Sequence, residues 1–545
     1  LTAGNLWGIN ATGTLTGKSI TVTATNNTTG TLTTGGAVNL GALSILAGGT
    51  NLTVTGNNSN QAAQGIVASG AISLASGSGL FFTSNNLINQ TGAISVAANV
   101  SGTASNLVFD TTTGTSDSAT TTGNFTFVTG STSDINLTVI SKGSALSLGT
   151  VGTSALVLPG VLTVDNTNGG TVTAANAISG IGVLLNRGAI YGGKGVVLKG
   201  VSNANNAIYV SSSVTAANGD IVINALGNSA TTYSAPGAGG TLTATNGSVS
   251  LTSVSTTGSA INIASGSTIT AKTGITLNAT STTAATVATV DVLTVTGAGA
   301  NISFTGNASA AGALLGVDVG SINLSNGASL SLISNNKITQ TGTIANAANT
   351  NGAASSILFD ATSGTNASAV TIGTLTVAAV TSTSDINLLV KSKGSSITAS
   401  GPLATAAIPL PGTIVFDNTN GGVVTQATAV AGVGLTFNGG GVFGIDEPRA
   451  EEFAQTLFHM RAPERGLQND FHGGCSVCAH RRRRPRRRRS LTLIILLASI
   501  PGSPSLQPRK CAQRILDANP AREPRRKVRR QGRISIESPV WIVGG

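Results

Sequence analysis

Residues 1–444 of this 545-residue chain contain no glutamate, no histidine, no cysteine and no methionine. Without Glu or His, and with aspartates scattered singly, this stretch has no titrating pair of the kind that general acid–base chemistry or glycoside hydrolysis requires. The lack of thiols fits an exported protein, in which a stray cysteine would pair wrongly. Charge is scarce as well: ten Asp stand against nine Lys and Arg, a balance of 9 − 10 = −1. Aromatic residues are few, with ten Phe, three Tyr and one Trp. A globular sandwich of this size normally rests on large aromatic side chains. An architecture that stacks modest aliphatic side chains is expected instead. No apolar run is long enough to cross a bilayer as a helix.

What is present is Gly, Thr, Ser, Asn, Ala and Val, with β-branched residues in alternating patches. Low charge points to disorder only when hydrophobicity is low too, and here the alternation suits stacked strands. Ile20-Thr21-Val22-Thr23, Asn51-Leu52-Thr53-Val54-Thr55, Asp220-Ile221-Val222-Ile223-Asn224, Asn301-Ile302-Ser303-Phe304 and Ser321-Ile322-Asn323-Leu324 each put aliphatics on one face and polar residues on the other. That is the period of a half-buried strand. Gly, Asn and Ser clusters separate the patches, as turns require. The patches return every ~20–28 residues, a spacing typical of repeat coils. Few aromatics, no Pro-rich linkers, irregular coil length and very low charge favour a coiled parallel stack over tandem sandwiches. At ~4.8 Å per coil, around 20 coils predict a rod on the order of 100 Å long. Asn-rich turns such as Ser84-Asn85-Asn86 are expected to stack their amides into ladders.

A long unit occurs twice, over 79–192 and 329–444. Ser84-Asn85-Asn86-Leu87-Ile88-Asn89-Gln90-Thr91-Gly92 returns as Ser334-Asn335-Asn336-Lys337-Ile338-Thr339-Gln340-Thr341-Gly342. Leu107-Val108-Phe109-Asp110 returns as Ile357-Leu358-Phe359-Asp360, and Ser133-Asp134-Ile135-Asn136-Leu137 as Ser384-Asp385-Ile386-Asn387-Leu388. Val164-Asp165-Asn166-Thr167-Asn168-Gly169-Gly170 returns as Phe416-Asp417-Asn418-Thr419-Asn420-Gly421-Gly422. The offset is 250 (84 to 334) at first, then 251 (133 to 384) and finally 252 (164 to 416). Two copies of a unit built from short strands indicate a stacked repeat, in which each coil needs its neighbours to close the core. The expected body is therefore 1–444.

Residues 445–545 differ in every respect. They hold 21 of the 30 Lys and Arg and nine of the 19 acidic residues, a balance of 21 − 9 = +12. The pI near 10.1 is thus a property of this tail and is no sign that the body binds nucleic acid. The second copy breaks in mid-unit after Gly444, into Ile445-Asp446-Glu447-Pro448-Arg449. A domain boundary seldom falls that way. The expectation is a basic, low-order tail from a shifted reading frame or a mis-joined gene, with a genuine small C-terminal segment as the alternative. Cys475 and Cys478 have metal-pair spacing beside His472 and His480, but all four crowd into nine residues and Cys511 stands apart. A structural zinc site usually draws its second ligand pair from a distant position, so no metal is expected here. The Arg481–Arg484 and Arg486–Arg489 runs suit non-specific contact with nucleic acid or anionic lipid, or GC-rich DNA read out of frame. Leu491-Thr492-Leu493-Ile494-Ile495-Leu496-Leu497-Ala498 resembles a signal-peptide apolar segment after a basic run, and is too short to span a bilayer. The chain starts at Leu1 without a leader pattern, and a fragment whose start lies upstream is expected.

In the body, Asp110/Asp360, Asp134/Asp385 and Asp165/Asp417 recur in both copies. One reading is a calcium or glycan contact. The other is turn chemistry, because Asp and Asn accept backbone hydrogen bonds. Asp165-Asn166-Thr167-Asn168-Gly169-Gly170 lacks the acidic positions and closing Glu of a calcium loop, so turns are favoured. Thr-x-Thr patches such as Thr21/Thr23, Thr53/Thr55, Thr241/Thr243 and Thr268/Thr270 are irregularly spaced, which counts against a flat ice-matching lattice. No catalytic, cofactor-binding or metal-binding residue is assigned, no cofactor is expected, and an enzyme is not expected.

The Gly/Asn/Thr/Ser-rich, cysteine-free strand repeats, with blocks such as Ser-Asp-Ile-Asn-Leu and Asp-Asn-Thr-Asn-Gly-Gly, resemble the β-strand-repeat passengers of filamentous haemagglutinin-like and autotransporter adhesins of bacteria. The resemblance covers about 1–444. It implies an all-β fold, a right-handed parallel β-helix (β-solenoid), secreted and displayed at the bacterial cell surface in association with the outer membrane. It implies partners too: a host-cell or matrix surface, glycans or other bacteria, and a secretion partner in the outer membrane. A purely structural surface-layer or biofilm matrix protein is the alternative, with a polysaccharide-active β-helix enzyme behind it. The secretion cap and the membrane barrel of those families do not occur in this sequence.

Overall fold

The computed structural model describes residues 6–437 apart from 28–34, 60–63, 115–117, 169–180, 204, 228–230, 236–239, 284–285, 310–314, 365–366, 379–381, 406 and 420–434. The tail at 445–545, with its Cys, His and Arg motifs, lies outside the described residues. The alternating patches form strands and, among the described residues, there is no α-helix. Fifteen strands, from Ile20–Asn26 to Ile414–Asp417, form one sheet in which every neighbour is parallel and one coil further along the chain. Between two such strands the chain makes two more. After Asn51–Asn58 come Gln64–Ala68 and Ile72–Leu74. Gln64–Ala68 pairs with Gly35–Leu40 below and Leu87–Gln90 above. Ile72–Leu74 pairs with Leu43–Ile45 and Ile94–Val96. The result is a parallel β-solenoid with three strand faces. Around its middle the second and third strands fuse into one that turns the corner: Ser259–Ala271 pairs with both Thr231–Ala235 and Leu242–Ala244.

The core follows directly from the alternation. Inward positions of the long sheet stand in register, one per coil, from Val22 and Val54 through Phe82, Phe109 and Val139 to Phe359, Val390 and Phe416. All fifteen members of this column are aliphatic or Phe, and all are buried. Phe82 and Phe109 meet edge-on with ring centroids 5.3 Å apart, and Phe109 meets Phe125 at 6.0 Å. Edge-to-face pairs add to what burial alone supplies.

Two sequence expectations need correction. Coil length runs from 25 residues (Leu137 to Leu162) to 34 (Leu162 to Val196), longer than the patch spacing suggested. The reason is that successive patches lie on different faces of one coil. Among the described residues there are accordingly fewer coils: fifteen strands have fourteen gaps, which at ~4.8 Å make a stack about 70 Å long rather than 100 Å. The amide ladder at Asn85 also differs in kind. Its Oδ1 accepts from the Asn58 backbone N–H at 2.8 Å and its Nδ2 donates to the Asn58 carbonyl at 3.1 Å, so the side chain stitches backbone to backbone. Asn335 makes the same two bonds to Ala308, at 2.9 and 2.6 Å. Amide-to-amide contacts occur elsewhere, Asn39 to Asn10 at 2.8 Å and Asn246 to Asn218 at 3.1 Å.

Corresponding positions of the two long units bond alike. Gln90 and Gln340 are fully buried, and their Oε1 atoms accept from the N–H of Gly123 at 2.7 Å and of Gly373 at 2.8 Å. Asn99 and Asn349, also buried, donate to the carbonyls of Asp134 at 2.9 Å and Asp385 at 2.8 Å. Such pairing is what buried amides require. The strands Gly79–Ser84 and Ser329–Ser334 are the third and twelfth of the long sheet, so the units lie 12 − 3 = 9 coils apart. One turn shows a divergence. Gly152 has φ +68°, and its counterpart Ala404 has φ +64°, the sole non-glycine residue with positive φ among the described residues. Both N–H groups donate across the corner, to Phe125 O at 2.9 Å and Leu375 O at 2.8 Å.

Candidate functional site

Four of the six recurring aspartates are at one corner of the solenoid, and Asp134 and Asp385 precede strands Ile135–Ile140 and Ile386–Lys391 instead. Asp110, Asp165, Asp360 and Asp417 each end a strand of the long sheet. Each carboxylate then accepts two hydrogen bonds from the Thr two residues on. Asp110 Oδ1 takes the Thr112 N–H at 2.7 Å and its hydroxyl at 2.6 Å. The distances are 2.9 and 2.6 Å for Asp165 with Thr167, 3.0 and 2.5 Å for Asp360 with Thr362, and 3.0 and 2.8 Å for Asp417 with Thr419. Asp-x-Thr is therefore a strand-end cap: the short side chain supplies the acceptor that the turning backbone lacks. The turn reading accounts for these four residues. Asp165 within its calcium-like loop has Oδ1 committed to Thr167, and the Asn168 amide donates to the Asp165 carbonyl at 3.2 Å.

Lysines answer two of these carboxylates from the next coil. Lys199 Nζ is 3.1 Å from Asp165 Oδ2, and Lys391 is 3.8 Å from Asp360 Oδ2, each pair in register on adjacent strands. Asp134 pairs with Lys194 at 2.7 Å on an exposed surface. Asp385, its counterpart, contributes its carbonyl to Asn349 and to the Ser355 N–H at 2.9 Å. Lys142 donates to the Gly114 carbonyl at 2.8 Å, and Lys393 does the same to Gly364. The Asp134–Lys194 pair spans two coils, and the other contacts tie one coil to the next. Among the described residues no group of three or more His, Cys, Asp or Glu side chains converges.

Two titratable groups are perturbed. Burial raises the Asp318 carboxyl above the ordinary aspartate range, with Lys337 opposing it. Tyr233 is buried, its hydroxyl has no hydrogen-bond partner, and desolvation pushes its ionisation far above the usual phenol range. Tyr233 lies in register between Ile208 and Ile261, in a hydrophobic column. Lys337 is the charged group that acts on Asp318, and Tyr233 is shifted by burial alone.

The outward faces are mostly polar, with few charges. Thr23, Thr55 and Thr83 stack in register, and the next rung is Asp110. Thr215, Thr243, Thr270 and Thr294 form a four-rung column that ends at Asn323. The Thr21/Thr53 column stops at Phe81. Thr-x-Thr in the sequence thus yields short ladders, each broken within a few coils. Sequence reading passed over Asn346, where an amide interrupts an aliphatic column. The signal was the mismatch between the copies, Val96 in one and Asn346 in the other. No family model, no curated protein and no solved structure matches this chain.

Proposed function

We propose that this chain is the passenger of an exported bacterial surface adhesin, a stalk and repetitive contact surface that attaches to host cells, matrix, glycans or other bacteria. The parallel solenoid supports this reading, because it exposes short ladders of Thr and Asn while four of its aspartates are consumed in turns. Weak contacts repeated along such a stack add up to useful avidity. The near-neutral body suits contact with glycans and matrix proteins more than with nucleic acid. On this reading it acts on no substrate and needs no cofactor, and an outer-membrane partner carries it to the surface.

The test is binding of the purified full chain to cultured epithelial cells, to matrix-coated surfaces and to a glycan array, as monomer and as multimer on beads. Adhesion is expected to rise steeply with multivalency. Absence of binding in every format, with assembly into sheets or biofilm matrix instead, would replace the adhesin with a structural scaffold. Depolymerisation of a polysaccharide, lost in Asp134→Asn or Asp385→Asn, would replace it with an enzyme.

A further inference from the structure

Asparagine is a thermolabile residue, and a glycine after it leaves the next backbone nitrogen without a Cβ to shield it. Four Asn–Gly pairs lie within the described residues: Asn218-Gly219, Asn246-Gly247, Asn326-Gly327 and Asn351-Gly352. In three of them the side-chain amide is bonded to another coil. Asn246 Nδ2 donates to Ala217 O at 2.9 Å and to Asn218 Oδ1 at 3.1 Å, and its Oδ1 accepts from Lys272 Nζ at 3.0 Å. Asn326 Nδ2 donates to Thr350 Oγ1 at 2.6 Å, and its Oδ1 accepts from the Thr350 N–H at 2.9 Å.

Asn351 differs. It is exposed, and its Oδ1 accepts from the Ala353 N–H at 3.2 Å, within its own turn. That bond folds the side chain forward along the Gly352 peptide and brings Cγ towards the Gly352 nitrogen. Gly352 is exposed as well, with φ +85°, and a Cβ built on it would meet no atom within 4 Å. The first copy has the same turn without the amide. There Ser101 precedes Gly102, whose φ is +80°. Asn99 and Asn349 anchor the two turns alike, donating to Thr103 O at 2.9 Å and to Ala353 O at 2.8 Å. The second copy therefore carries a reactive amide on a turn that folds equally well with serine.

We propose that Asn351 is a site of spontaneous deamidation and isomerisation. Solvent base takes the Gly352 N–H proton, and the nitrogen forms a bond to Asn351 Cγ. The Cγ–Nδ2 bond breaks, and the amide nitrogen takes up a proton and leaves as ammonia. Water then adds to one carbonyl of the resulting succinimide and opens the ring, to aspartate or to isoaspartate. No oxidant or cofactor takes part. Either product puts one negative charge at the corner between strands Thr343–Asn346 and Ser355–Asp360, and isoaspartate also lengthens the backbone of the turn. The site is independent of the adhesive role.

The experiment holds the full chain folded in mildly alkaline buffer and follows each Asn–Gly peptide by mass spectrometry after digestion, with isoaspartyl methyltransferase labelling to detect isoaspartate. Asn351 is expected to convert at least about tenfold faster than Asn246 and Asn326, whose amides must first break two or more hydrogen bonds, and to yield both products. In the urea-unfolded chain the four sites are expected to convert at similar rates. Asn351→Ser, the first copy's own residue, is expected to leave that turn unlabelled with the circular dichroism unchanged. An Asn351 rate no greater than that of Asn246 and Asn326 in the folded chain overturns the proposal. So does a preference that persists in urea, because the fold is then not its source. Aspartate as the sole product overturns it too, since that marks direct hydrolysis of the amide.

Discussion

Replacing Ala404 by glycine isolates the energy of a single backbone conformation. In an ordinary buried strand position such a change loses a methyl group, about 0.8 kcal/mol, and adds freedom to the unfolded chain, about 0.4–1 kcal/mol. Ala399→Gly, nearby in strand Ile397–Ala399 and equally buried, should therefore cost about 1–2 kcal/mol on those same terms. Ala404 is also buried, but its φ of +64° is in the left-handed region. That conformation costs an L-residue roughly 1–2 kcal/mol, which glycine recovers. The terms nearly cancel, so Ala404→Gly is expected to be neutral within about 0.8 kcal/mol. The mirror change, Gly152→Ala, is expected to destabilise, because the added Cβ would come within 2.5 Å of the Leu156 carbonyl oxygen. The assay is native-state hydrogen exchange on the full chain, following amides over 397–412 for the first two variants and over 150–160 for the third. Local opening energies are the right quantity in a repeat array, where stability is a sum over neighbours. An Ala404→Gly cost equal to that of Ala399→Gly would refute the reasoning.

Three further outcomes are expected. Asp165→Ala should destabilise its corner by about 1–3 kcal/mol, since it leaves the Thr167 N–H and Lys199 without their acceptor, and Asp165→Asn should cost less because an amide oxygen still caps the turn; urea titration read by local exchange distinguishes them. Tyr233→Phe should be neutral or stabilising, since it removes a buried hydroxyl that has no partner, and a thermal melt that drops for this variant would contradict that. Asp318 carries a pH signature. Its folded carboxyl titrates above its unfolded value, so the folded state holds a proton that the unfolded chain gives up. Stability from this group thus falls as pH rises through that window, and the penalty is full above the folded pKa. Asp318→Asn should therefore gain stability over the wild-type chain at neutral pH, and that gain should vanish below the ordinary aspartate range.

The alternation of Ile20-Thr21-Val22-Thr23 and its fellows was enough to specify strands, their inward faces and their parallel stacking. The Asp-x-Thr corners were legible too, because a short acceptor beside a turn has few other uses. Coil number was not legible. Period two tells which side of a strand is buried but not which of three faces the strand belongs to, so patches from different faces read as successive coils. Ala404 was opaque for a related reason: alanine carries no local sign of positive φ, and only alignment with Gly152 exposes it. Asn346 looked like any other polar residue at a strand end. Its meaning depends on Leu324 and Val377, each about one coil away in sequence.

The nine-coil separation of the two long units has an evolutionary corollary. A segment copied in whole coils rejoins the stack in phase, so every strand of the insert finds a partner of the right hydrophobic side and no compensating change is needed at the seams. A copy out by half a coil would turn interiors outward. Growth of this chain by tandem duplication is thereby quantised. Each permitted step also returns a given side chain to the flank it started from, so that a newly diverged copy can be selected there while its ancestor keeps the original surface.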